Sequence, residues 1–172
     1  MSDSYDIDVN GDGQADNVTV VHDSDGTQTM VADTNDDGRA DMVAVDTDGD
    51  AEHAAYDTDG DGKLDSVVSD TDNDGYADRL AADTNADGLV DTVAVDSDED
   101  GRIDAAVQDT DYDGRTDTVL VDSDKDGVTD TAGRDLDEDG DVDMVNIDRD
   151  EDGTVDATVY SDESAGGTTK PQ

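Results

Sequence analysis

One nine-residue pattern, Asp-x-[Asp/Asn]-x-Asp-Gly-x-x-Asp, occurs ten times in 172 residues, and it restricts the fold more than any other feature. It begins at Asp8, Asp33, Asp57, Asp70, Asp83, Asp96, Asp109, Asp122, Asp135 and Asp148, and from Asp57 onward the step is always thirteen. Counting unit positions from that first Asp, the copy Asp83-Thr-Asn-Ala-Asp-Gly-Leu-Val-Asp91 carries oxygen-bearing side chains at positions 1, 3, 5 and 9 and Gly88 at position 6. This spacing wraps a hard cation: calcium takes several oxygen ligands, the glycine makes the sharp turn, and position 7 offers its backbone carbonyl.

The candidate ligand sets follow directly. They are Asp8, Asn10, Asp12 and Asp16; Asp33, Asn35, Asp37 and Asp41; Asp57, Asp59, Asp61 and Asp65; Asp70, Asp72, Asp74 and Asp78; and Asp83, Asn85, Asp87 and Asp91. The later units add Asp96, Asp98, Asp100 and Asp104; Asp109, Asp111, Asp113 and Asp117; Asp122, Asp124, Asp126 and Asp130; Asp135, Asp137, Asp139 and Asp143; and Asp148, Asp150, Asp152 and Asp156. Two shortened copies, Asp23-Ser-Asp-Gly26 and Asp46-Thr-Asp-Gly49, drop two residues and the position 5 ligand, and are expected to be weak or empty sites.

Each loop is followed by four residues that alternate about apolar positions, as in Thr92-Val-Ala-Val95, which reads as a short half-buried strand. These segments fall into two alternating classes. One carries Val at positions 11 and 13 (Val43 and Val45, Val93 and Val95, Val119 and Val121), and the other is smaller and looser (Leu80 and Ala82, Ala106 and Gln108, Ala132 and Arg134). The period is therefore nearer 26 than 13. The expected fold is all-β: a calcium-stabilised, β-roll-like solenoid of about six 26-residue coils, each with two loops and two short strands. In that coil Val93 neighbours Val67 and Val119 along one sheet, with Leu80 and Ala106 facing it across a thin core. Position 8 (Ala40, Leu64, Val90, Ile103, Val142, Val155) adds a third inward row. The solenoid covers residues 1–160, with Ser4–Ile7 as a cap strand, and residues 161–172 are a polar tail expected to be disordered.

Charge makes a cation part of the argument. Nine Lys and Arg stand against 52 Asp and Glu, a net charge of −43, with 31% hydrophobic residues and no Phe, Trp or Cys. Such a composition taken alone belongs to disordered chains. Carboxylates stacked about 4.8 Å apart repel by roughly 1 kcal/mol per pair even at the dielectric of water. Bound Ca2+, about ten ions, would cancel roughly 20 of the 43 net charges and reverse the sign of that interaction. The same charge repels nucleic acid and anionic membranes, and no run is long and apolar enough to span a bilayer. The missing cysteines show only that no disulfide is needed.

The loop Asp57-Thr-Asp-Gly-Asp-Gly-Lys-Leu-Asp65 resembles the calcium loops of FG-GAP/VCBS and integrin-type propellers and of thrombospondin type 3 repeats. That resemblance covers the nine-residue loops and hardly touches the linking strands. EF-hands and dockerins share positions 1, 3, 5 and 6, but they need a carboxylate at position 12, where this chain holds Ala44, Ala94, Val107 or Leu120. In overall plan the chain resembles the RTX β-roll, a two-strand coil with calcium in its turns, without sharing its glycine-rich nonapeptide. What these resemblances imply is a calcium-binding repeat protein.

Other residues take bland readings. His22 and His53 are expected at the surface beside the shortened loops. Arg39, Lys63, Arg102 and Arg115 at position 7 are read as relieving local repulsion. The Thr and Ser residues at position 2 are read as tying down their own loops. No nucleophile–base pair, phosphate loop or cofactor motif is present, so no enzymatic activity is expected. The leading functional expectation is a structural or surface module that folds on binding calcium, with calcium ions as its partner and a protein or glycan partner left open. The alternative is a high-capacity calcium buffer, store or mineral-nucleating protein. Met1–Ile7 shows no basic and apolar pair of segments, so no signal peptide is expected in this chain. Calcium availability favours the cell surface or exterior, and the cytoplasm stays open.

Overall fold

A computed structural model describes residues 1–49 and 51–161. Its strands are β1 (Ser2–Ile7), β2 (Asp16–His22), β3 (Gln28–Asp33), β4 (Met42–Asp46), β5 (Ala51–Tyr56), β6 (Ser66–Ser69), β7 (Arg79–Ala82), β8 (Thr92–Val95), β9 (Ala105–Gln108), β10 (Thr118–Val121), β11 (Thr131–Arg134), β12 (Met144–Ile147) and β13 (Ala157–Tyr160). They form one open antiparallel sheet whose strand order is the chain order, and no helix occurs among the described residues. β1 covers the segment expected as a cap strand and pairs with β2, placing Tyr5 opposite Val18. The expected tail lies outside the described residues from Asp162 on; its first residue, Ser161, donates its N–H to the Asp143 carbonyl at 2.8 Å.

The two-sheet coil is corrected by this pairing. Val93 stands opposite Ala81 on one side and Val107 on the other, while Leu80 and Ala106 stand opposite Ala94 in the same sheet. Spatial neighbours along the sheet are thus consecutive strands. The 26-residue alternation has another cause. Successive units pair antiparallel with position 11 of one facing position 12 of the next, so each unit is flipped relative to its neighbour. Side chains alternate faces along a strand. The Val class therefore points positions 11 and 13 to one face, and the smaller class points them to the other. Two classes of segment make two faces of one sheet.

One face carries a row that runs Val31, Val43, Ala55, Val67, Ala81, Val93, Val107 and Val119. The opposite face carries the small residues, among them Ala44, Ala54, Ala94 and Ala106. The buried apolar residues (Val18, Ala32, Ala44, Ala54, Ala82 and Ala94) all lie on this second face, and Val18 is fully buried. No second layer covers the sheet among the described residues, so the Val row stays half exposed, with Val67 at 39% and Val107 at 37%. Position 8 is not a buried inward row: Leu64, Val90, Ile103, Val142 and Val155 are all at least 40% exposed, and Ala40 is half-buried. Val142 leans onto β11, where a Cβ added at Gly133 would meet its Cγ1 at 3.1 Å.

Alternating hairpins send successive loops to opposite edges. Asp83 N–H donates to the Asp65 carbonyl at 2.8 Å and Asp109 N–H to Asp91 at 2.8 Å on one edge. On the other edge, Asp96 N–H donates to Asp78 at 2.9 Å and Asp122 N–H to Asp104 at 2.8 Å. The loops therefore divide into two columns, with Asp57, Asp83, Asp109 and Asp135 apart from Asp70, Asp96, Asp122 and Asp148. Same-edge loops are two strands apart, about 10 Å instead of about 4.8 Å. Repulsion between successive loops falls to about half as a result. This is a physical reason for a chain of this charge to prefer the meander over stacked coils.

Candidate metal centres

Each nine-residue loop is built by the same internal hydrogen bonds. The position 1 carboxylate accepts the N–H of the position 6 glycine in all ten loops, as in Gly62 to Asp57 and Gly101 to Asp96, at 2.7 and 2.8 Å. The position 5 carboxylate accepts the position 7 N–H, as in Leu89 to Asp87 at 2.8 Å. The position 9 carboxylate accepts the position 2 N–H, as in Thr84 to Asp91 at 2.7 Å. These bonds turn the chain about its own acidic side chains. They use only part of the acceptor capacity, because each carboxylate oxygen carries two lone pairs.

The turn needs two residues in the left-handed region. Position 6 is glycine throughout, for example Gly88 at φ 94°. Position 4 is left-handed as well: Gly11 and Gly60 take it freely, but Asp36, Asn73, Ala86, Glu99, Tyr112, Lys125, Glu138 and Glu151 are held there at φ between 55° and 68°. The bend at position 4 lets both oxygens of the position 1 Asp be used, as where Asp109 accepts from Tyr112 N and Gly114 N, each at 2.7 Å.

Positions 1 and 9 sit at the loop base beside the sheet, where Asp16, Asp41, Asp70, Asp91, Asp96, Asp104, Asp109 and Asp122 are all buried. Their partners at positions 3 and 5 are mostly exposed. The sets converge: ligand oxygens lie within 4.8 Å of one another in Asp57, Asp59 and Asp61, in Asp70, Asp72 and Asp78, and in Asp83, Asp87 and Asp91. Asp33, Asp104 and Asp148 each keep one buried carboxylate oxygen without a hydrogen-bond partner. Such groups, left in a dry site, need a cation or a donor.

Hydroxyls at position 2 tie down their own loops. Thr34, Thr84 and Ser123 donate to Asp41, Asp91 and Asp130 at 2.8, 2.8 and 2.5 Å. Burial would raise the Asp41 and Asp65 carboxyls, but the bonds from Thr34 and Thr58 outweigh it and hold both below the ordinary range. The Ser97 hydroxyl, the Lys125 ammonium and the Ser97 N–H together lower Asp104 to about 2. Asp41, Asp65 and Asp104 are thereby kept as carboxylates.

Two features escape a reading of the loop pattern. Glu52 closes the shortened loop at Asp46: it accepts the Thr47 N–H at 2.9 Å, and its carbonyl accepts the Asp70 N–H at 2.9 Å, the same bonds that position 9 makes elsewhere. Dropping two residues from the loop brings Glu52 to the place of position 9, and Asp46, Asp48 and Glu52 converge like the full sets. The other shortened copy is a tight turn, with Asp23 N–H bonded to the Thr27 carbonyl at 2.9 Å. The second feature is contact between loops. The position 7 arginines do more than relieve charge: Arg39 reaches the Asp61 carbonyl at 2.6 Å, and Arg115 the Glu138 carbonyl at 3.1 Å, each in the next loop on the same edge. Lys63 instead pairs with Asp61 of its own loop at 3.2 Å. His22 lies at the surface, 3.7 Å from Asp3.

Acidic clusters of this kind are able to hold a metal ion. Comparison with protein-family models, with curated proteins and with solved structures gives no match to this chain.

Proposed function

We propose that the chain binds about ten calcium ions, one in each full loop, and that loading converts a self-repelling acidic polymer into a structural or surface module built on one β-sheet. The observation that carries this reading is the repeated loop geometry. In ten loops the backbone N–H groups of positions 2, 6 and 7 fix carboxylates from positions 9, 1 and 5, and in the loops that begin at Asp57, Asp70 and Asp83 three carboxylate oxygens lie within 4.8 Å of one another. A site of many carboxylates favours calcium over magnesium, which prefers to keep its waters. Few apolar residues are buried, so the sheet has little else to set against a charge of −43. From the RTX-type plan this reading keeps the calcium-bearing turns stacked in columns, and it contains no catalytic step. Calcium supply favours the cell surface or exterior.

Exposure of positions 3 and 5 favours a second reading, a high-capacity buffer or store, since open ligands exchange their ion readily. Affinity separates the two: millimolar dissociation constants suit an extracellular module, and micromolar or tighter ones a buffer. Equilibrium calcium uptake by the full chain tests the proposal, with saturation expected near ten ions and little displacement by equimolar magnesium. Saturation at two or three ions, or equal uptake of magnesium, would contradict it.

A further inference from the structure

Position 4 points away from its own loop and toward the preceding loop on the same edge. The Glu99 carboxylate joins Asp72 and Asp74, with ligand oxygens within 4.8 Å of one another. Glu138 stands beside Asp113 and Asp111, and Glu151 beside Asp126 and Asp124. Among the ten full loops, one position 4 residue is a cation, Lys125. Its ammonium reaches the loop of Asp96–Asp104, donating to Asp104 Oδ2 at 2.9 Å and Ser97 Oγ at 3.0 Å, with Asp98 Oδ2 at 3.2 Å. Asp98 and Asp104 are two of the four ligand positions of that loop. Asp104 is only 6% exposed, and its Oδ1 is buried with no hydrogen-bond partner.

We propose that position 4 tunes the preceding loop: Glu99, Glu138 and Glu151 each lend a carboxylate to the loop before them, and Lys125 is a resident cation that makes the Asp96–Asp104 loop the last to take calcium. This rests on the calcium reading and adds an order to it. The ammonium must leave before a divalent ion can use Asp98 and Asp104, and if it stays nearby it repels that ion. A unit charge about 4 Å from a divalent ion weakens binding roughly thirtyfold at the dielectric of water. The neighbouring loop of Asp122–Asp130 has Glu151 at the corresponding place and gains where its neighbour loses.

The position 6 glycine amides give one resolved signal per loop in a nitrogen–proton correlation spectrum. Calcium alone is titrated into the full chain while Gly62, Gly88, Gly101 and Gly127 are followed. The midpoint of Gly101 is expected about thirtyfold above those of Gly62 and Gly88, whose loops are followed on the same edge by the uncharged Ala86 and Tyr112, and further still above that of Gly127. In Lys125→Met the Gly101 midpoint falls into line, and in Glu151→Lys the Gly127 midpoint becomes the late one. Coincident midpoints in the native chain that Lys125→Met leaves unmoved would overturn the tuning role while calcium binding stands. If no glycine amide responds to calcium in either protein, the calcium reading falls and this inference falls with it.

Discussion

Eight non-glycine residues at position 4 hold left-handed backbone that L-residues adopt at a cost of about 1–2 kcal/mol each. Ala86→Gly should therefore stabilise the calcium-loaded chain by about 1 kcal/mol, since it trades one methyl group for a free φ. The reverse change, Gly60→Ala, should destabilise by about as much, and the cause would be purely conformational because a Cβ there meets nothing within 4 Å. Denaturant midpoints in saturating calcium check both, and equal midpoints would show that the loops relax at no cost. Protonation acts at the same scale. Glu151 is raised to about 7, first by its hydrogen bond to Asp126, then by burial and by the charges of Asp126, Asp124 and Asp130. A folded-state value above the free glutamate value of 4.5 means that the folded chain holds the extra proton. Without metal, stability should then fall as pH rises from about 4.5 to about 7. Asp104 has the opposite sign, but its contribution is lost only as pH falls from 3.8 toward about 2, outside that window. In chelator, strand content by circular dichroism should be higher at pH 5 than at pH 7.5, and the reverse would count against these clusters. The acidic positions that build each loop were legible from spacing alone. Glu52 and the left-handed position 4 were not, because one is a Glu where every full loop has Asp and the other is spelled as glycine only at Gly11 and Gly60.

Strand placement was legible at the scale of elements, because Thr92-Val-Ala-Val95 and its counterparts follow each loop with a clean alternation. Their pairing was not. A 26-residue alternation arises equally from a coil of two units and from a hairpin whose units flip, and only the register distinguishes them. What favours the hairpin is electrostatic, since alternate edges double the distance between acidic loops. The chain has no cysteine, so the pairing can be read by cross-linking. Val93→Cys with Val107→Cys puts directly opposed residues on one face, with Cβ atoms about 5 Å apart, and should form a disulfide readily. Val93→Cys with Val119→Cys should not, because β9 lies between them. Efficient closure of the second pair and none of the first would restore the coil.

For the whole molecule, the sheet holds few buried apolar residues, no second layer of strands packs on it among the described residues, and the net charge is −43. A fold of that kind does not stand on burial. Its account requires that ions in the edge loops supply what a core supplies elsewhere, so that site formation and folding are one event. The measurement that bears on this most directly is far-UV circular dichroism of the full chain at neutral pH, first in excess chelator and then with calcium added. The account predicts a coil spectrum in chelator that turns to a strand spectrum as calcium is supplied and returns to coil when chelator is restored. A stable strand spectrum in excess chelator would contradict it.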